Sequence, residues 1–373
     1  MARVLNEIKE TTGVRLYPVR GVCVDSDDPH SPQDSRVEPG KIKRGMLAER
    51  DPGPFPISVT SGEPDPTRGY DRKRSLFEYF LDGTRRTFLV AELATSSMRY
   101  LPVLAGQISA AVVNRARDTG RIHVSRHDAA SVVALPGGGI GINQGDLDEL
   151  RDKLRAGTRP FELIVYGEKG IPDSKKPMDL AIAKINDAMQ QLEIRALEDL
   201  TNRNLTTASS MLVVDGSVQF TRIPLENRSW LRNVVGVSKT FQTNLVFTKD
   251  KREIGAVLVE TLRSVGDRTP AFRYEFRNNA YAAWYLRIRD RKQTDMPLSG
   301  IVKLERLLLT EEEFDFGLTS DVINNISLSI LGERYVTPFG KDDRWPNHLY
   351  PIYLAERYQR GQLMGEAQFL RLF

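Results

Sequence analysis

The chain has 373 residues, 40% hydrophobic and 27% charged, a balance that excludes a disordered or fibrous protein and fits a folded globular one. Its one cysteine, Cys23, excludes an intramolecular disulfide. No run of about 18 uncharged apolar residues and no signal-like first segment is present, so a cytoplasmic protein without a membrane span is expected. The net charge of +4 permits binding to nucleic acid without requiring it.

Residues 25–75 are rich in Pro, Gly, Asp and Ser and predict looped or extended structure, so residues 1–75 are expected to form an N-terminal arm. From 76 onward, YFLDGT, RRTFLVAELAT and RYLPVLAGQISAAVVN are apolar runs of strand length separated by polar or Gly-containing breaks. They predict an antiparallel three-strand meander. Residues 115–160 are polar, hold the loop LPGGGIGINQGD and a short helix over 147–155, and are expected to be an insertion on the core. FELIVYGE (161–168) predicts a strand. The clearest helix covers 177–200: Pro177 suits a first turn, and Ile182, Ile185, Met189, Leu192 and Ala196 recur at helical spacing. SSMLVVDGS (209–217) reads as a buried strand closing on a turn. NVVGVSKTF (233–241), TPAFRYEFRN (269–278), AAWYLRIRDRK (282–292) and SGIVKLERLLL (299–309) continue the strand character, followed by helices near 320–331 and after Pro351. In TPAFRYEFRN, Phe272, Tyr274 and Phe276 alternate with Arg273, Glu275 and Arg277, which gives the strand one packing face and one face for solvent or ligand.

Asp82 and Asp215 each follow an apolar run and precede a glycine (FLDG, VVDG). That pattern is common at ordinary strand-to-turn junctions, where the aspartate accepts backbone hydrogen bonds. It also suits a site that holds hard divalent cations, because carboxylates at strand ends are natural ligands for them. A helical ligand would complete such a site. Glu198 lies away from the apolar stripe of its helix, Asp199 lies nearer to it, and Glu92 is a further candidate within its strand.

Other signals carry less. His123 and His127 have i, i+4 spacing but no third zinc ligand close by in sequence. PGGGIGINQG lacks the Gly-Lys-Ser/Thr ending of a phosphate-binding loop and the G-x-G-x-x-G spacing of a dinucleotide site. No Gly-x-Ser-x-Gly or Cys/His nucleophile arrangement occurs. Beside a metal site, Arg85, Arg86, Lys239, Arg287 and Arg289 are candidates for contact with a nucleic-acid backbone, with Trp284 and Trp345 as stacking surfaces.

A strand with Asp82, two further strands, a long helix with Glu198 and a strand with Asp215 follow the ligand order of ribonuclease-H-like nucleases. Over roughly 76–373 the chain resembles the NurA nucleases, on FLDGTRR at 80–86, RALEDL at 195–200, MLVVDGSV at 211–218, VVGVSKTF at 234–241 and LYPIYLAERYQRG at 349–361. The resemblance implies an α/β fold with a ribonuclease-H-like mixed sheet flanked by helices. It further implies a DNA nuclease using one or two Mn²⁺ or Mg²⁺ ions on Asp82, Glu198 and Asp215, with Lys239 facing phosphate and Tyr350 at the DNA. The implied assembly is a homodimer with a hexameric HerA-type ATPase, in DNA end processing or antiviral defence. The family's histidine eight residues past that tyrosine is Tyr358 here, and a neutral phenol is a poor ligand for these metals. His348, Glu356 or three carboxylates alone are the substitutes. The alternative is a non-catalytic, DNA-guiding or regulatory subunit of the same ATPase complex, and a third reading is a related enzyme acting on another substrate such as RNA in a hybrid.

Overall fold

The computed structural model describes residues 3–25, 47–59, 75–95, 99–137, 142–168, 170–171, 176–220, 225–241, 248–249, 252–253, 255–276, 279–294, 296, 298–334 and 345–373. Most of the expected loop-rich stretch over 25–75 lies outside them. The first half of the chain forms α1 (Arg3–Thr12), β1 (Arg15–Cys23), β2 (Glu49–Arg50), β3 (Ile57–Ser58), β4 (Phe77–Ala94), β5 (Tyr100–Arg115), β6 (Ile122–Pro136), α2 (Gln144–Ala156), β7 (Phe161–Tyr166) and α3 (Pro177–Asn202). The second half forms β8 (Met211–Asp215), β9 (Val234–Ser238), β10 (Thr248–Lys249), β11 (Arg252–Glu253), α4 (Gly255–Glu260), β12 (Asp267–Arg268), β13 (Phe272–Phe276), β14 (Asn279–Arg287), β15 (Ile301–Leu307), α5 (Glu311–Phe316), β16 (Leu318–Thr319), α6 (Ser320–Glu333), α7 (Tyr350–Gln362) and α8 (Glu366–Leu370).

One mixed sheet runs in the order β3-β12-β14-β15-β9-β8-β4-β5-β6-β7, with β1 added to β4 and β13 to β14. β4, β5 and β6 form an antiparallel meander, while β8 runs parallel to β4 and β9 parallel to β8. Helices cover both faces, so the chain is α/β with a large mixed sheet. On one face, α3 lays Ile185, Met189, Leu192, Ala196 and Leu197 on Leu81, Leu104, Ile108 and Val112. On the other, α6 and α7 bring Ile323, Ile330, Ile352 and Ala355 against Phe80, Val213 and Val237. Each fully buried aliphatic side chain of this kind contributes about 1.5–3 kcal/mol. The far ends of β4 and β5 enter a third core with α1, α2 and Phe369. No helix among the described residues is long and apolar enough to cross a membrane.

Three sequence expectations need correction. YFLDGT and RRTFLVAELAT are one strand, 18 residues long, and Asp82-Gly83 lies inside it. The reason is pairing: Asp82 faces Ala111 and Gly83 faces Ala110 across β4 and β5, so the ladder continues through a dipeptide that in isolation favours a turn. The third meander strand is β6, within the region read as an insertion. Its first half is polar and partly exposed, so it carries no apolar run. Finally, residues 3–23 pack on the core: Val4, Leu5 and Ile8 are buried, and β1 pairs with β4 from Arg15↔Ala94 to Cys23↔Phe88. The expected helix over 177–200 is present as α3, with Pro177 in its first turn.

The second edge of β4 changes partner along its length. β8 pairs with it up to Leu81↔Val214, whereas β1 joins it only at Phe88. Asp82 stands where β8 leaves.

Candidate functional site

β4, β8 and β9 lie side by side and parallel, and their alternation fixes which residues share a face. Phe80, Val213 and Val237 point to the α7 side. Two residues further on, Asp82, Asp215 and Lys239 therefore project from that same face. Over them α7 buries Ile352, Ala355 and Gln359. Its Glu356 follows Ala355 and flanks the buried stripe.

Asp82 is 5% exposed, and Gln359 Nε2 donates to its Oδ2 at 2.9 Å. Lys239 Nζ donates to Asp215 Oδ2 at 2.8 Å. Burial, followed by the negative fields of Asp215 and Glu356, holds the Asp82 carboxyl well above its ordinary value of 3.8; Lys239 opposes this and Glu193 adds to it. Burial works against the charge of Lys239, yet Asp215, Glu356 and Asp82 together raise its affinity for a proton. The electrostatic picture is a group of carboxylates repelling one another around one ammonium.

The α3 carboxylate that comes near Asp82 is Glu193, on the opposite face of β4 from the Asp82 side chain. Glu193 is 3% exposed, and a Cβ at Gly83 would collide with its Oε1. Gly83 thus serves a close side-chain approach within a strand, not a turn. Glu198 lies five residues on, about 140° further round the helix, and is half-exposed. Its rival Asp199 pairs with Arg126 and Arg203 at the rim of a cavity lined also by Tyr79, Asn114 and His123. Glu92 pairs with Tyr17 and Pro102, ten residues along β4 from Asp82. A charge on the apolar stripe was the missed signal: Glu193 is i+4 from Met189 and i−3 from Ala196, both buried.

The arginines separate by face and burial. Arg86 projects on the Asp82 side of β4 and reaches Met364 O at 3.5 Å, just past α7. Arg85 projects on the opposite side, toward Asp25 at 3.5 Å. Arg287 is fully buried and donates to the carbonyls of Leu262, Arg289 and Ser299. Arg289 is 6% exposed. Burial lowers the proton affinity of both to about 10. Arg287 and Arg289 are therefore framework residues instead of backbone contacts, because a nucleic acid has no access to them. Trp284 is likewise buried, with Nε1 donating to Ser327 Oγ at 3.0 Å. The side chain of Trp345 lies outside the described residues.

Tyr350 opens α7 and is half-buried. His348 is 4% exposed and packs edge-on to Tyr353. Tyr358 projects from the flank of α7 opposite Glu356 and stands edge-on to His127, which shares a 2.9 Å hydrogen bond with Ser109. A register shift in β6 turns His123 and His127 to opposite faces.

Carboxylate oxygens of this kind are hard ligands that suit Mg²⁺ or Mn²⁺. Among the described residues no three His, Cys, Asp or Glu side chains are gathered closely enough to enclose an ion. Lys239 is the cation that bonds to Asp215 and faces Asp82 and Glu356. The carboxylate oxygens of Asp82, Asp215 and Glu356 are of the donor type that a divalent ion would take.

No family model matches the chain, and no curated protein matches it.

Proposed function

We propose that the chain is a divalent-metal-dependent deoxyribonuclease with a ribonuclease-H-like core, as its resemblance to the NurA nucleases implies. One observation carries the reading: Asp82 and Asp215 project from the same face of adjacent parallel strands, under a helix that adds Glu356. The strand order β6-β5-β4-β8-β9, an antiparallel meander followed by two strands parallel to its first, supports the ribonuclease-H-like comparison.

Asp82, Asp215 and Glu356 would hold one or two Mn²⁺ or Mg²⁺ ions, with Glu193 across the sheet adding to the negative field at Asp82. Bound there, the metal supplies activation of the attacking water and charge stabilisation at the leaving 3′ oxygen. Gln359 orients Asp82 through its 2.9 Å hydrogen bond. With a cation held on Asp215, Lys239 could turn to a phosphate oxygen. Arg86, on the same face, is placed to meet the DNA backbone, and Tyr350 lies at the start of α7. Tyr358 stands on the flank of α7 away from Glu356, edge-on to His127. A cytoplasmic homodimer docked on a hexameric HerA-type ATPase completes the reading.

The test is cleavage of linear and circular DNA by the purified protein with Mn²⁺, Mg²⁺ or EDTA, with and without the ATPase. Metal-dependent cleavage that disappears in Asp215→Ala is the expected result. Cleavage by Asp215→Ala at the wild-type rate would sink the site assignment, and folded wild-type protein inert under every condition would sink the activity.

A further inference from the structure

Behind the Asp215 loop, on the face of the sheet away from α7, lies a buried ionic group that the site described above leaves unused. Gly216 takes φ 102°, after which the chain crosses over β9. Gly216 N donates to Val237 O at 2.8 Å, and the crossing depends on Gly236, where a Cβ would lie 2.7 Å from Gly216 O. Residues 217–219 are thereby carried toward β15.

There Glu305 is fully buried and ion-paired with Lys303. Ser217 Oγ donates to Glu305 Oε2 at 2.7 Å, and Gln219 N donates to Ser217 Oγ at 3.2 Å. Gln219 Nε2 donates to the Tyr274 hydroxyl at 2.8 Å, and that hydroxyl also bonds to Glu305. Ser217, Gln219, Tyr274 and Glu305 therefore close a ring of hydrogen bonds, with Lys303 supplying the counter-charge. A buried Lys–Glu pair is a weak source of stability, since desolvation cancels much of the attraction. Its direct bond to the segment two residues past Asp215 gives it another use.

We infer that Glu305 is a positioning residue which, through Ser217, fixes the turn that aims the Asp215 carboxylate and thereby sets the affinity of the site for a divalent cation. The inference rests on the metal site proposed above. Outer groups that orient a ligand typically change metal affinity by about 10–100-fold when removed. Ser217→Ala removes the bond to the loop while leaving the Lys303–Glu305 pair in place, so it isolates positioning from charge burial.

The experiment is thermal unfolding of the full-length protein titrated with MnCl₂ in the absence of DNA. Ser217→Ala should require about tenfold more Mn²⁺ than wild type for the same rise in Tm above its own metal-free value, a value that falls because buried Glu305 loses a donor. Ser217→Thr, which keeps the hydroxyl, should restore the wild-type Mn²⁺ requirement, and Glu305→Gln should shift it in the same direction as Ser217→Ala. A Ser217→Ala protein that titrates like wild type overturns the positioning role while leaving the metal site standing. A wild-type protein that does not respond to Mn²⁺ overturns both.

Discussion

At Asp82 the charged form of the carboxyl is opposed first by burial and then by Asp215 and Glu356. A group whose folded-state proton affinity is raised in this way stabilises the fold when protonated, and that contribution is lost as pH rises through its folded-state value. The Asp82 carboxyl is therefore a cost to the metal-free protein at pH values well above its ordinary 3.8. Asp82→Asn keeps the shape and an acceptor for Gln359, so it should raise the metal-free Tm at pH 7. The gap from wild type should close as pH falls toward 3.8, the ordinary value for an aspartate. Thermal melts of both proteins across that range check the sign. With saturating Mn²⁺ the order should reverse, because the cation stabilises only the protein that can bind it. An Asp82→Asn protein no more stable than wild type without metal would show that Asp82 bears no such repulsion.

Elements, more than single residues, decide what the sequence discloses. The end of the apolar run that carries Asp215 is where β8 ends, and Lys239, taken from the resemblance, lies one residue past β9. Asp82 was legible as a residue, but its setting was not: the ladder to β5 holds Asp82-Gly83 within an extended strand. β6 was missed because its partly exposed half has no apolar run, although it pairs with β5 along most of its length. Arg287 and Trp284 misled for the opposite reason, since β14 is covered on both faces and engages their polar atoms internally. Glu193 was hidden in plain periodicity on α3. Its contact with β4 also yields a test. Gly83→Ala places a methyl against Glu193 Oε1, and overpacking of this kind typically costs about 1–3 kcal/mol. In a Glu193→Ala background the same change should cost much less, and a denaturant-unfolding double-mutant cycle measures the difference. Additive effects would mean that α3 does not bring Glu193 to β4.

Across the whole molecule, a net charge of +4 says little about where a polyanion would lie; the distribution of cations by depth says more. Arg287 is enclosed by carbonyls, and Arg85 faces Asp25 on the opposite side of β4. Arg86 projects on the Asp82 side, four residues or about 13 Å along the strand. It stands beside its β5 partner Gln107, which bonds to Met364 just past α7. DNA passing over the carboxylates along β4 would meet Arg86 and not Arg287. Each phosphate contact contributes about 0.9 to the slope of log affinity against log salt. Arg86→Ala should therefore weaken binding to linear DNA and reduce that slope by about one, with little change in stability. Arg287→Ala should leave the slope unchanged and destabilise the fold, because three buried carbonyls lose their donor at about 1–3 kcal/mol for each group left unsatisfied. Fluorescence anisotropy over a salt series, paired with denaturant unfolding, separates the two effects. A slope altered by Arg287→Ala but not by Arg86→Ala would place the DNA on the β14 side of the sheet, away from Asp82.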